Sequence, residues 1–161
     1  FGAIFGVFVE PQPDEVRLAL DLIPGLRLQF SGEEPPEVCE GLANGTYLKA
    51  LHLGGERDER AVVAAAASYV RGFPMFDTWH PDKRGGTGVP SWSRLAAVGS
   101  LPSEFAVSGG LTPESVGACV RLVHPSAVDV RSGVERESDG RKDEGKMRAF
   151  VRAVREADAQ A

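Results

Sequence analysis

Residues 3–30 read AIFGVFVEPQPDEVRLALDLIPGLRLQF, and this stretch decides the fold because it holds a complete strand–helix–strand unit. Residues 3–9 are apolar almost without a break, which is typical of a strand that is covered on both faces. Residues 13–15, Pro-Asp-Glu, open a helix that the pair Pro24-Gly25 ends. Residues 26–30 form the second strand, so the stretch predicts two parallel strands joined by a helical crossover.

The same alternation continues to the end of the chain. Further strands are predicted at residues 46–53, 73–78, 104–107 and 127–130, and further helices at residues 35–42, 59–70, 92–98, 112–122 and 145–157. Six strand–helix units without a hairpin signal between strands predict a parallel sheet with right-handed crossovers. Two architectures fit this pattern, an open doubly wound sheet and an eight-fold barrel. Because no G-x-G-x-x-G motif follows a strand, a dinucleotide-binding fold has no direct support.

The composition is that of a single folded domain. The chain has 161 residues, of which 42% are hydrophobic and 25% are charged, and globular domains usually have roughly 100–200 residues. No apolar run approaches the ~18 residues that a membrane helix needs. No secretory leader precedes the first strand. We therefore expect neither a membrane partner nor export.

Charge and metal-ligand content exclude further classes of function. The net charge is −5, and the cations near the C-terminus are interleaved with acids. This pattern disfavours a nucleic-acid partner, because phosphate neutralisation needs clustered cations. The two cysteines, Cys39 and Cys119, lie far apart, and the histidines show no metal-ligand spacing, so no metal site is expected. Sparse cysteines also favour a reducing, cytoplasmic location.

Four polar segments follow predicted strands, and parallel sheets bind ligands at the carboxyl ends of their strands. The segments are residues 29–33 (QFSGE), residues 76–79 (FDTW) with residues 85–88 (GGTG) in the same loop, residues 107–111 (VSGGL), and residues 128–135 (VDVRSGVE). The first of them also fits a plain Ser-Gly turn at a strand end.

Asp77 is the candidate for acid–base chemistry. It closes a buried apolar strand, where a carboxylate is costly unless it is paired or exposed in a cleft. Burial also raises the pKa of a carboxyl group, which suits a general acid near neutral pH. The alternative is that Asp77 caps the loop backbone or pairs with Lys83 or Arg84.

The glycine pairs are candidates for anion binding. Gly109 and Gly110 precede a predicted helix start at Thr112, where free N–H groups and the helix dipole favour phosphate. A tight turn with positive φ explains the same pair equally well. Residues 85–88 either bring N–H groups close to an anion or form a flexible loop. In the last segment, Arg131, Lys142 and Asp143 are better explained as a surface ion-pair group.

Taken in order, these segments resemble the phosphoribosylanthranilate isomerase family. The matching pieces are GVFV at residues 6–9, the strand end at 29–33, Asp77 with GGTG at 85–88 and Trp92, the GGL-x-P segment at 109–113 with Val116, and the ending at 129–143 with Lys146 and Phe150. The resemblance covers nearly all of the chain. It implies an α/β fold of the (β/α)8 TIM-barrel type, in the ribulose-phosphate-binding group, with residues 1–161 in one domain.

The resemblance also implies an activity. The family carries out the Amadori rearrangement of N-(5-phosphoribosyl)anthranilate to 1-(2-carboxyphenylamino)-1-deoxyribulose 5-phosphate in tryptophan biosynthesis, without metal or organic cofactor. Asp77 is then the general acid. The implied phosphate and substrate contacts are Gly86, Gly109, Gly110, Ser132 and Gly133 for the phosphate, and Gln29 and Ser31 for the rest of the substrate. The implied protein is a cytoplasmic monomer or homodimer.

The chain departs from the family pattern in three places. The family's general base is a cysteine at the end of the first barrel strand, and neither Cys39 nor Cys119, both in predicted helices, corresponds to it. Ser31 replaces a histidine of the family. GVFV matches the third barrel strand, and 161 residues fall short of the roughly 200–250 of a complete barrel. We therefore expect an N-terminally truncated piece of six units with impaired activity and exposed strand edges.

Two other functions stay open at this point. A non-catalytic phosphate-binding or interaction module would use the glycine loops without an acid–base pair. A related histidine-pathway or dual-substrate sugar-phosphate isomerase would also use Asp77, although GGTG followed by Trp92 favours the tryptophan enzyme.

Overall fold

The computed structural model describes residues 2–54, 56–78 and 91–160. Its strands are β1 (Phe5–Phe8), β2 (Arg27–Phe30), β3 (Tyr47–Leu53), β4 (Gly72–Thr78), β5 (Ala106–Ser108) and β6 (Ala127–Val128). Its α-helices are α1 (Pro13–Leu22), α2 (Pro36–Leu42), α3 (Glu59–Ala65), α4 (Val116–Val123) and α5 (Glu144–Asp158), and short 3-10 segments occupy Ala66–Ser68, Ser91–Ala97 and Ser132–Val134. The predicted alternation of six strand–helix units is confirmed.

The sheet is entirely parallel, and its spatial order β1-β2-β3-β4-β5-β6 is the order of the sequence. A doubly wound sheet reverses its direction of growth part-way, whereas a barrel adds each strand on the same side of the last one. Right-handed crossovers that all run in one direction leave every helix on the same face. The barrel-type arrangement is therefore confirmed, and the doubly wound alternative is wrong.

The two faces of the sheet carry different layers, as the period of two in a strand requires. Leu51, Phe76 and Val107 lie side by side in register and pack with residues of α4 and α5 in the main core. Their neighbours Ala50, Met75 and Ala106 are also in register and form a second, smaller cluster on the opposite, inner face. The helices thus cover one face, and the inner face is left for the site.

Two helix boundaries differ from the prediction. Thr112 does not begin the regular helix, because its N–H donates to the Ser115 hydroxyl and the chain makes one turn before α4 starts at Val116. The predicted helix over residues 59–70 ends as α-helix at Ala65 and continues as a 3-10 turn to Ser68.

Strands β1 and β6 each have one sheet neighbour within the described part of the chain. Beside β1, the apolar side chains of Ile4, Val7 and Val9 are 59%, 61% and 66% exposed. This edge differs sharply from the centre of the sheet, where strand residues are buried on both faces. Within residues 2–54, 56–78 and 91–160, no helix has both the length and the apolar content to cross a membrane.

Candidate active site

A cleft of about 460 Å³ lies at the carboxyl ends of the strands, on the inner face. Its lining combines strand residues from the inner face with residues of the loops that follow β5 and β6. Five of the predicted site residues and Asp77 meet there: Gln29, Asp77, Gly109, Gly110, Ser132 and Gly133. The fifth predicted phosphate contact, Gly86, lies outside the described residues, as do Lys83 and Arg84.

Asp77 lies next to last in β4, between His52 of β3 and Ser108 of β5 in the register of the sheet. The preceding residue, Phe76, points to the core and is fully buried. The alternation of the strand therefore turns the Asp77 carboxylate to the inner face, where 29% of its side chain is exposed to the cleft. The predicted position of a carboxylate at the open end of a buried strand is confirmed.

Two glycine loops line the same cleft. Gly109 and Gly110 have φ values of 82° and 68°, the left-handed region that favours glycine, and they lead into the turn before α4. The predicted tight turn is therefore present. A Cβ on Gly133 would lie 1.9 Å from the Leu111 carbonyl oxygen, so the loops after β5 and β6 touch backbone to backbone. Glycines without Cβ leave N–H groups accessible to an anion at this wall.

Gln29 and Ser31 occupy the end of β2. Gln29 lines the cleft, and its amide Nε2 donates to the Ser31 hydroxyl over 3.1 Å. The Ser31 carbonyl accepts a hydrogen bond from His52 Nε2 over 2.9 Å. Gln29 is one of the described residues that line the cleft, and Ser31 is not. Ser31 instead contacts Gln29 through its hydroxyl and His52 through its carbonyl.

Two residues of the site were missed by the sequence analysis. Asp129 follows β6, lines the cleft and accepts a hydrogen bond from the Ser108 hydroxyl over 2.9 Å. His52 stands beside Asp77, with 3.8 Å between His52 Nδ1 and Asp77 Oδ2. The signal for His52 was available in the alternation of β3, because His52 shares the inner face with Ala50. It could be used only once the register with β4 was known.

The prediction that Arg131, Lys142 and Asp143 form an ion-pair group is wrong, because Lys142 and Asp143 have other partners. Lys142 pairs with Glu135 at 3.0 Å and reaches Arg131 only at its backbone carbonyl. Asp143 instead caps α5 by accepting the Lys146 N–H over 2.9 Å.

Both cysteines belong to the core, in helices as predicted. Cys39 lies in α2 and Cys119 in α4, and neither is exposed. Burial raises the pKa of the Cys39 thiol to about 11 and that of the Cys119 thiol to about 12, so both are neutral thiols near pH 7. Among the described residues, no three His, Cys, Asp or Glu side chains are grouped to hold a metal ion.

A buried ion pair supports the site from the helix-covered side of the sheet. Lys49 Nζ donates to Glu34 Oε2 over 2.7 Å and to the Gly32 carbonyl over 2.6 Å. Glu34 Oε1 accepts the N–H groups of Glu10 and Gly32. Burial by itself would raise the pKa of Glu34, but the hydrogen bonds from Lys49 and from the Glu10 N–H outweigh it and hold that pKa below its ordinary range. The pair therefore ties the loops after β1 and β2 to β3.

Comparison with known proteins agrees with this geometry. Residues 2–153 match the family model described as N-(5'-phosphoribosyl)anthranilate (PRA) isomerase. The chain is 45% identical to the N-(5'-phosphoribosyl)anthranilate isomerase of Moorella thermoacetica, covering 98% of this chain and 69% of that protein. It is 41% identical to the enzyme of Pseudomonas fluorescens, covering 96% and 71%.

Solved structures of the same name share the fold. The phosphoribosyl anthranilate isomerase of Thermotoga maritima superposes with a TM-score of 0.79 at 29% identity, over 94% of this chain and 72% of that one. A phosphoribosyl anthranilate isomerase in complex with reduced 1-(o-carboxyphenylamino)-1-deoxyribulose 5-phosphate gives a TM-score of 0.73 at 28% identity, over 94% and 71%. The chain thus spans about seven tenths of the length of these relatives.

Proposed function

Because the chain belongs to the N-(5'-phosphoribosyl)anthranilate isomerase family, we propose that it catalyses the Amadori rearrangement of N-(5-phosphoribosyl)anthranilate to 1-(2-carboxyphenylamino)-1-deoxyribulose 5-phosphate in tryptophan biosynthesis. The observation that carries this proposal is the placement of Asp77 and two glycine loops around one cleft. A carboxyl group and anion-accepting backbone that line the same cleft suit the two functional ends of an aminoaldose phosphate.

In the proposed reaction, Asp77 acts as the general acid. Its carboxyl proton goes to the ring oxygen of the aminoaldose, the bond between that oxygen and C1 breaks, and the nitrogen lone pair forms the C1=N bond. A general base then removes the C2 proton, and the resulting enolamine becomes the aminoketose. General acid–base steps of this kind contribute roughly 10²–10⁴-fold to rate. Cys39 and Cys119 are core thiols, so neither is proposed as the base.

The phosphate is proposed to bind at the glycine wall. Backbone N–H groups of the loops after β5 and β6 would donate to its oxygens, and the start of α4 adds the positive end of a helix dipole. The residues proposed for this role are Gly109, Gly110, Ser132 and Gly133, with Gly86 from the loop after β4. Gln29 would contact the rest of the substrate, with Ser31 orienting its amide.

The experiment is a turnover assay of the full-length protein and its Asp77→Asn variant. Asn keeps the size of the side chain but has no carboxyl proton to give, so we expect kcat to fall by about 10²–10⁴-fold while thermal stability and product-analogue affinity stay close to wild type. The control is Asp14→Asn, which changes an exposed carboxylate of α1 that forms an ion pair with Arg17. Near-normal turnover of Asp77→Asn would overturn the assignment of the acid.

Calorimetry with a ribulose-5-phosphate analogue tests the phosphate wall separately. We expect heat of binding in Asp77→Asn as in wild type, because the proposed phosphate contacts are backbone N–H groups that this substitution leaves in place. We also propose that the protein works in the cytoplasm as a monomer or homodimer, which analytical ultracentrifugation distinguishes. Absence of phosphate binding in both proteins would remove the glycine wall from the proposal.

A further inference from the structure

The loop after β6 carries two of the proposed phosphate contacts, and Lys142 binds this loop at its backbone. Lys142 Nζ donates to the Arg131 carbonyl oxygen over 2.6 Å and to Glu135 Oε1 over 3.0 Å. The backbone of Lys142 also forms an antiparallel bridge with Glu135. The lysine is therefore held beside the loop by its main chain as well as by its side chain, although the proposed reaction gives it no role.

The geometry of a peptide unit makes the contact of Lys142 a constraint on Ser132. A trans peptide places its carbonyl oxygen and its N–H on opposite sides. The carbonyl of Arg131 and the N–H of Ser132 belong to one peptide, so an ammonium group that holds this carbonyl also fixes the direction of this N–H. Ser132 lines the cleft, and Lys142 is not among the described residues that do so. The Ser132 N–H is therefore turned away from Lys142.

Other carbonyl groups of this loop are held by hydrogen bonds as well. The Ser132 carbonyl accepts the Glu135 N–H over 2.9 Å, which turns the Gly133 N–H in the opposite direction. The Glu135 carbonyl accepts Lys146 Nζ over 2.8 Å. Outside the bonds internal to helices and strands of the described residues, no backbone hydrogen bond is donated by Ser132 or Gly133. The loop thus occupies its carbonyl oxygens and keeps two N–H groups for an anion.

We propose that Lys142 is a positioning residue of the phosphate site, which directs the Ser132 N–H at the phosphate and strengthens it as a donor. The ammonium group donates to the carbonyl, and the N–H of the same peptide donates to the phosphate. Charge at the end of such a chain of hydrogen bonds polarises every member of it. The positive charge therefore acts on the anion without touching it. The identity of the anion rests on the proposed function, whereas the contacts of Lys142 do not.

A plain surface ion pair is the alternative role for Lys142. Its side chain is 45% exposed and that of Glu135 is 26% exposed, and exposed pairs contribute little to stability. The shorter of the two contacts goes to the carbonyl and not to the carboxylate. Two substitutions separate the two roles, because Lys142→Met removes both contacts, whereas Glu135→Gln removes the charge of the carboxylate and leaves the carbonyl contact in place.

The experiment is binding calorimetry with ribulose 5-phosphate, together with steady-state kinetics, on the full-length protein. We expect Lys142→Met to weaken binding and raise KM by roughly tenfold, because a hydrogen bond to a charged group is impaired. Since this bond is equally present in ground and transition state, kcat should stay within about twofold. Glu135→Gln should keep affinity and KM within about threefold of wild type. The control for lost charge is Arg148→Met, which breaks an exposed ion pair with Glu144 and should leave KM unchanged.

Normal affinity and KM in Lys142→Met, or an equal loss in Glu135→Gln, would overturn the proposal. Backbone amide NMR tests the orientation without turnover. We expect the Ser132 amide proton to shift downfield when ribulose 5-phosphate is added to wild type, and to shift much less in Lys142→Met. A Ser132 amide that does not respond in wild type would overturn the inference even with normal turnover. The expected shifts in a wild type without turnover would refute only the proposed reaction.

Discussion

Strand β3 carries Lys49 and His52 three residues apart, and the two side chains have opposite surroundings. Lys49 points to the helix-covered face and meets Glu34 at 2.7 Å, with 2% and 1% of the two side chains exposed. His52 points to the inner face and meets Asp77 at 3.8 Å, with 10% and 29% exposed. The first pair is tight and closed to water, and the second is looser and open to a cleft.

The difference shows that the two faces of β3 have different roles, one in stability and one at the cleft. A buried pair is stable only when hydrogen bonds replace the lost water, and Glu34 receives three such bonds while Lys49 makes two. A fully satisfied pair of this kind has no free capacity to exchange a proton with a ligand. The His52–Asp77 pair keeps the exposure that proton transfer requires. The buried, stabilising pair and the pair at the cleft therefore lie on opposite faces of the same strand.

The largest expected effect tests the closed pair. Lys49→Met leaves the Glu34 carboxylate buried without its cation, which should cost about 3–5 kcal/mol of unfolding free energy. The double variant Lys49→Met/Glu34→Leu removes both charges and should recover most of that loss, since apolar replacements of buried pairs are often neutral. Urea unfolding measures both. A double variant as unstable as the single one would contradict the view of Lys49 and Glu34 as a mutual pair.

A smaller effect is expected at Gly133, where a close contact between two loops is also part of the proposed phosphate site. A Cβ there would overlap the Leu111 carbonyl oxygen, so Gly133→Ala must separate the loops after β5 and β6. Hydrogen bonds to a charged group contribute about 1.5–3 kcal/mol each, so we expect KM to rise by roughly tenfold or more. Steady-state kinetics measure this.

The control for Gly133→Ala is Gly41→Ala, at a position in α2 with open space around the added Cβ. Because Ala is the better helix former, this control should stabilise the protein by about 0.5–1 kcal/mol and leave KM unchanged. Equal KM values in the two variants would mean that the loop contact at Gly133 plays no part in binding.

The smallest effect is a pH dependence. The pKa of Glu34 is lowered in the folded protein, so its stabilisation is complete above the unfolded-state pKa and is lost as the pH falls through the folded-state pKa. We expect the stability advantage of wild type over Glu34→Gln to shrink by about 1 kcal/mol or more between pH 7 and pH 3. Urea unfolding of both proteins across this pH range measures the difference in unfolding free energy. A difference that does not change with pH would show that Glu34 is not the source of the acid sensitivity.

The sequence predicted those features that depend on local pattern. The alternation of strand and helix, the turn at Gly109 and Gly110, and the placement of both cysteines in helices follow from short stretches. His52 and the Lys49–Glu34 pair were missed because they depend on the register between strands, which no local pattern specifies. The substrate roles of the site residues and the truncation of the barrel stay predictions, with Gly86 outside the described residues.

The order of the sheet has a consequence for how the protein is made. Register partners in neighbouring strands, such as Gln29 with Leu48 or Met75 with Ala106, lie only 19 and 31 residues apart along the chain. Closing loops of this length costs less entropy than pairing strands from distant parts of the chain would. We therefore expect each strand to be able to pair with the strand before it without waiting for a later part of the chain.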